Sequence, residues 1–340
     1  MAWSNRVSTT TNDELIPKLV DTVLNSNVFA TRMLGAAKKW PATSTVKQPI
    51  KVSKNSTGTS FSGFDTFSTN ATNNRVLLEY LPKFYQITVA LPLDELSVNQ
   101  TDAKALDLAA LELASGAQDM ADDIGTLLYS DGTGNSSKDF LGLGAIVDDG
   151  ATIATIGGQS RATYSTLAST VTASGGALTL AKMATLYSAV ASGAQKPTLG
   201  LANETVCNLY ETLLQPQERL PKDVAMVKGG YPGGTGFTGY FYKGFPVLAD
   251  EKATAQTLFF INEDFIDWYA LPVAMTEPAK FKSVDIKGND YSSVMGLGFS
   301  FSGWIKPSNQ AAVVGHIYLG GELCTSNPKR HGKLTGVTSA

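Results

Sequence analysis

FYQITVALPLDELSVNQTDAKALDLAALELASGAQDMADDIGTLLYSDGTG, residues 84–134, carries two periodicities in succession, and the switch between them sets the architecture. In its first part Tyr85, Ile87, Val89 and Leu91 alternate with Gln86 and Thr88, the period of two expected of a half-buried β-strand. Pro92 ends that strand. In its second part Leu106, Ala110, Leu113, Ala117, Met120, Ile124 and Leu127 recur at steps of four and three, which predicts one long amphipathic helix. Asn99 or Thr101 can cap it, Asp102 suits its positive end, and the turn at Asp131, Gly132, Thr133 and Gly134 stops it. About 28 residues at ~1.5 Å each give a rod near 42 Å. Alanine at two of the seven seam positions, with Gly116 and Gly125 inside the rod, argues for packing on a sheet and against a coiled coil.

Upstream, residues 46–74 turn to Ser, Thr, Asn, Gly and Lys, a composition that cannot bury enough apolar area to fold alone. Val46, Ile50 and Val52 alternate before this stretch and Val76 and Leu78 after it, so it reads as a long β-hairpin whose tip serves something outside the domain. Residues 1–45 form an arm in which Leu15, Ile16, Leu19, Val20, Val23 and Leu24 recur at helical spacing, with Pro17 disturbing the first turn. Downstream, the apolar run FLGLGAIVDD leads into a Ser/Thr/Gly/Ala-rich segment over 150–176. Two helices follow, over 180–192 capped by Thr179 and over 204–214 capped by Asn203, with PTLGLA as a short strand between them. The Pro/Gly-rich segment 215–239 separates these from YFYKGFPVLADE, TLFFINEDFIDWYAL, FKSVDIKG, SVMGLGFSFSGWI and AAVVGHIYLGGEL, which read as successive strands. The basic tail TSNPKRHGKLTGVTSA reads as surface.

Composition narrows the function classes. With 43% hydrophobic and 17% charged residues in 340, the chain is long enough for about two folded domains. A net charge of −3 supplies no summed positive field for a polyanion, which disfavours direct nucleic-acid binding and leaves containment as the role for DNA. The two cysteines, Cys207 and Cys324, lie in no metal or redox spacing and read as buried thiols. No stretch reaches the ~18 apolar residues of a bilayer span, and the N-terminal residues carry no signal-peptide pattern, so no membrane partner is expected.

Candidate chemistry is sparse. Only two histidines occur: His316, in a strand-like run and expected half-buried, and His331, expected exposed in the basic tail. Neither has a nucleophile elbow to serve. Ser44, Thr45, Val46 and Lys47 match a serine-x-x-lysine spacing without its companion motifs, and 234–239 matches GxGxxG without the strand before it or the helix after it. Asp119, Asp122 and Asp123 project from the polar face of the rod and read as solvated or lysine-paired carboxylates. No catalytic, cofactor-binding or metal-ligating residue is assigned, and no cofactor is expected.

The order of these segments resembles the major capsid proteins of tailed bacteriophages with the Hong Kong 97-type fold. FYQITVALPLDEL with the rod and LYSDGTG…GLGAIVDD is similar to that family's hairpin-to-spine passage, and YKGFPVLADEKATAQTLFFINEDF to its Gly-x-Pro-Val strand pair. The resemblance implies an α+β fold divided into an N-terminal arm (1–45), an extended hairpin loop (46–83), a peripheral domain with the spine helix (84–140), an axial domain (141–288), and return strands with the C-terminal tail (289–340). It implies a coat protein without enzymatic activity. Its first partner would be itself, in the hexamers and pentamers of an icosahedral shell around double-stranded DNA, assembled in a bacterial cytoplasm and ending in the virion. A separate scaffolding protein and a portal are implied, and decoration proteins are compatible. Lys47, Lys51 and Lys54 would be available for the lysine-asparagine cross-links of some members, though no partner asparagine or catalytic carboxylate is matched. Two other readings stand beside this one: the shell of a cellular nanocompartment, which shares the fold, and, from another class, an enzyme with its site in the Gly-rich segment. A fibre or adhesin subunit would suit the Ser/Thr-rich strands but not the rod.

Overall fold

The computed structural model describes residues 27–41, 43–70, 72–98, 108–173, 175–214, 239–271, 277–278, 299–302 and 304–339. The helical stripe of the arm, the N-terminal cap of the rod and residues 234–238 of the GxGxxG match lie outside these residues.

The elements used below are, in chain order, helix α1 (Val28–Gly35), strands β1 (Val46–Lys51), β2 (Arg75–Tyr80) and β3 (Lys83–Pro92), the long helix α2 (Leu108–Leu127), α3 (Leu180–Val190), β4 (Leu199–Ala202), α4 (Glu204–Leu214), β5 (Gly239–Tyr242), β6 (Phe245–Ala249), β7 (Leu258–Ile261), β8 (Ile266–Ala270), β9 (Phe299–Phe301), β10 (Ala312–Thr325) and β11 (Gly332–Leu334).

Strand β3 follows its alternation: Val89 and Leu91 are buried while Phe84, Gln86, Thr88 and Ala90 are exposed or half-buried. It pairs antiparallel with the 14-residue β10, from Ala312 opposite Pro92 to Gly321 opposite Lys83. The far end of β10 holds β8, with Ile266 opposite Thr325, and its middle holds β9. Helix α2 lies against β3. Met120 and Ile124 are fully buried on the seam, each worth about 1.5–3 kcal/mol relative to exposure. The two glycines of the rod are sites of close approach: a Cβ at Gly116 would meet Val89 Cγ2 at 2.7 Å, and one at Gly125 would meet Asn27 Nδ2 at 2.5 Å. A side chain at Gly116 would lift the rod from the sheet, and one at Gly125 would push it away from the start of α1.

The second sheet runs β5, β6, β4, β7, β11 and the short strand Thr170–Thr172. Its central strands are buried on both faces, which is why LGLA and LFFI read as continuous apolar runs. Leu199, Leu201, Phe259 and Ile261 face the core shared with α2 and the first sheet. Ala202, Leu258 and Phe260 face the opposite way, toward Met183, Leu186 and Val190 of α3 and Val206 and Tyr210 of α4. Both of these helices start as their sequences require, with Thr179 Oγ1 accepting from Lys182 N and Asn203 Oδ1 from Thr205 N.

One expectation is corrected by this sheet. His331, expected in an exposed tail, is wholly buried. The residues that follow it form β11, which inserts between β7 and Thr170–Thr172. Backbone pairing carries this segment inside the protein, and its charged residues do not prevent it: Lys333 keeps its ammonium 3.8 Å from Asp148 and turns its stem into the interior.

Candidate assembly interface

The hairpin is built on a buried root and an exposed tip. Strands β1 and β2 pair antiparallel from Val46 opposite Tyr80 to Lys51 opposite Arg75. Val46, Ile50, Leu78 and Tyr80 point into the core, and the Tyr80 hydroxyl donates to Thr325 O at 2.9 Å, so the root is pinned to the end of β10. The Lys47–Glu79 pair, 3.5 Å apart and half-exposed on the outer face, adds little. Lys47 is thus a hairpin cation, and nothing in its surroundings resembles the machinery that a serine-x-x-lysine motif needs.

Beyond Val52 the described side-chain hydrogen bonds of the tip are all made within it. Asn55 Oδ1 accepts from Thr57 and Thr72, and Asp65 Oδ2 accepts from Ser62 N. Phe61, Phe64 and Phe67 are exposed at 68%, 105% and 64%, with the first and third rings in edge contact at 5.1 Å. Three phenylalanines standing in solvent on a segment without a core of its own form an unpartnered apolar surface. Leu77, Leu81 and Phe84 extend apolar exposure to the base of the hairpin.

Helix α1, the described helix of the arm, is fixed by polar groups reaching across the chain. Asp250 is buried and accepts from Phe29 N, from the Tyr129 hydroxyl and from Lys252 N, at 2.9, 2.9 and 3.0 Å. Burial pushes its carboxyl above the usual range while these three donors pull it back. Arg32 clamps Glu263 in a two-bond fork at 2.7 and 2.8 Å.

Where the rod hands over to the core, Glu322 is almost fully buried and accepts from Leu141 N at 2.6 Å and Leu323 N at 3.1 Å. Lys83 lies 3.6 Å from it and donates to Asp139 O. Burial outweighs Lys83 and the amides and pushes the Glu322 carboxyl up to about 7. A buried Arg161–Asp148 pair at 3.2 Å, with Arg161 also donating to Ala145 O, knits the Gly-rich segment together.

The candidate chemistry of the sequence resolves into structural roles. His316 is half-buried on β10 with Nδ1 3.0 Å from Thr88 Oγ1. His331 accepts from Asn262 N through Nδ1, and burial depresses it to about 3, so it is neutral at ordinary pH. Both thiols are free and buried; burial raises Cys207 to about 11 and drives Cys324 further up, which keeps them protonated. Asp122 pairs with Lys252 at 2.8 Å and Asp123 accepts from Tyr85, while Asp119 is exposed. Among the described residues no group of three or more His, Cys, Asp and Glu is spaced to hold a metal ion, and no helix is long and apolar enough to cross a membrane. Sequence reading misses Asp250, Glu322 and Arg161, because an isolated charged residue gives no sign that its partner lies far along the chain.

A hairpin on a buried root, a long helix laid along a sheet, and a second sheet packed on that helix define the Hong Kong 97-type α+β fold of phage capsid proteins. The capsid asymmetric unit of cyanophage A-1(L) superposes with a TM-score of 0.65 at 14% identity, over 91% of this chain and 92% of that one. The holo-SrpI encapsulin complex of Synechococcus elongatus gives 0.60 at 12% identity over 99% and 96%. The capsid of Myoviridae phage XM1 gives 0.51 at 14% over 91% and 92%. No protein-family profile matches the sequence, and no curated protein does.

Proposed function

We propose that the protein is the major capsid protein of a tailed bacteriophage, a coat subunit without enzymatic activity that assembles through hexamers and pentamers into an icosahedral shell around double-stranded DNA. The observation that carries this reading is the hairpin tip, whose three phenylalanines are exposed, with Phe61 and Phe67 touching each other, and suit an anchor on a neighbouring subunit. The likeness to phage capsid subunits over nine-tenths of the chain supports it. In this reading the arm (1–45), hairpin (46–83), peripheral (84–140), axial (141–288) and return (289–340) segments act as the units of a shell subunit, and a separate scaffolding protein and a portal complete the assembly. The shell forms in the bacterial cytoplasm and becomes the virion wall, and a net charge of −3 leaves the packed DNA without a generally attractive lining.

A second reading, the shell of a cellular nanocompartment, is favoured by the encapsulin likeness, which spans 99% of this chain. Electron microscopy of the purified protein tests both: hollow angular particles are expected, and dispersed monomers at high concentration would overturn both. Particles isolated from the native source then separate them, since packaged DNA selects the phage capsid and an enclosed enzyme selects the nanocompartment.

A further inference from the structure

A concavity of about 380 Å³ opens where four distant segments meet: Lys51 at the end of β1, Thr166 in a short turn, Ala189, Ala191 and Ser192 at the end of α3, and Asn327, Lys329 and Arg330 ahead of β11. Three of these eight residues are cationic and none is acidic, in a chain whose net charge is −3. Among the described residues no carboxylate lies within 4 Å of the charged groups of Lys51, Lys329 or Arg330, so their charge is not balanced by an ion pair. Two of the lining residues, Arg330 and Thr166, also each carry a buried polar atom without a hydrogen-bond partner among the described residues, Nε and Oγ1. Both can donate, and a buried donor left unmade is costly.

The carbonyl end of α3 offers a partial negative charge of about one half, too little to balance three cations, and no side-chain hydrogen bond joins Lys329 or Arg330 to it. We infer that this concavity is a binding site for a phosphate-class oxyanion, free or carried on a polynucleotide backbone, held by Arg330, Lys329 and Lys51 with Asn327 completing its hydrogen bonds. A tetrahedral oxyanion accepts in several directions at once and so suits donors arriving from separate segments. Because Lys51 belongs to the hairpin, the bound anion would tie the hairpin's root to the turn that precedes β11. The inference concerns the single subunit and does not rest on the shell reading.

Thermal unfolding of the full chain in sodium phosphate, compared with sodium chloride at equal ionic strength, separates specific binding from screening. The melting temperature should rise by about 2 °C or more once phosphate is roughly tenfold above its Kd. Lys51→Gln, an exposed substitution that leaves the fold intact, and Arg330→Gln should each weaken phosphate binding by roughly tenfold, while Lys138→Gln, exposed and remote in the chain, should leave it unchanged. An equal shift in phosphate and chloride, or an undiminished shift in Lys51→Gln, would overturn the proposal. A labelled duplex oligonucleotide identifies the source: binding that phosphate displaces and Lys51→Gln weakens assigns the backbone phosphate, and phosphate binding without oligonucleotide binding assigns the free anion.

Discussion

The carboxylate of Asp250 accepts a hydrogen bond from the main-chain amide of Phe29 at 2.9 Å, across 221 positions of sequence. It thereby caps the first turn of α1, which has no acidic residue of its own. The same oxygen takes the Tyr129 hydroxyl beyond the end of α2, so one carboxylate joins the arm, the rod and the turn after β6. Asp250→Ala should destabilise the subunit by about 3 kcal/mol, because it leaves two buried donors unmet. Asp250→Asn, which keeps an acceptor, should cost less. Urea denaturation of the two variants checks the order, and equal losses would show that the charge and not the acceptor matters.

The buried seam of α2 gives a second test. Ile124→Asp places an unpaired carboxylate where the side chain is wholly buried, and the expected loss is about 3 kcal/mol or more. A variant that melts like the parent would mean that this face of the rod does not carry the core.

Two buried titratable groups should act on stability in opposite directions. His331 is depressed from 6.5 to about 3, so the unfolded chain binds its proton first, and stability should fall as pH drops from about 6.5 towards 3, by up to ~1.4 kcal/mol per unit. Glu322 is raised from 4.5 to about 7, so the folded chain holds its proton longer, and its contribution should be lost as pH rises from about 4.5 through 7. Urea midpoints across this range should therefore flatten above pH 6.5 in Glu322→Gln. A slope there identical to that of the parent would show that Glu322 does not ionise in that window.

Removing residues 55–72 and closing β1 to β2 with a short turn tests the hairpin itself. The described side-chain hydrogen bonds of this segment are all made within it, and its large apolar side chains, Phe61, Phe64 and Phe67, are exposed, so the melting temperature should stay within a few degrees. Assembly should fail in sedimentation. Shells that form normally without the tip would remove the hairpin as an inter-subunit anchor and with it the main mechanistic support for a coat protein.

The parts of this fold legible in the sequence are those in which burial repeats. Strand β3 and helix α2 each expose one face and hide the other, so their apolar residues return with the period of the backbone. LGLA and LFFI are legible as strands by length and turn signals. Helix α1 is not, because VFATRMLG is short and takes its cap from Asp250. The tail misleads for a related reason. NPKRHGKL has the composition of a surface loop, yet pairing of Gly332 with Phe260 and of Leu334 with Leu258 draws it inside, and His331 follows. Arg161 and Asp148 sit in a segment without apolar rhythm, where only the fold reveals that each is the other's counterion.

The position of β11 also sets a timetable for synthesis. This strand is interior to its sheet, between β7 and Thr170–Thr172, although its residues are numbered 332–334. Until they leave the ribosome, both neighbours present bare edges, and the face of the sheet that receives Val190 and Leu186 beside Gly332 is incomplete. Rods and hairpins can form on the growing chain, but closure of the second layer must wait for translation to reach the tail. A nascent subunit therefore cannot adopt its finished shape early, and chains truncated before Gly332 should be marked for degradation by the open edge they expose.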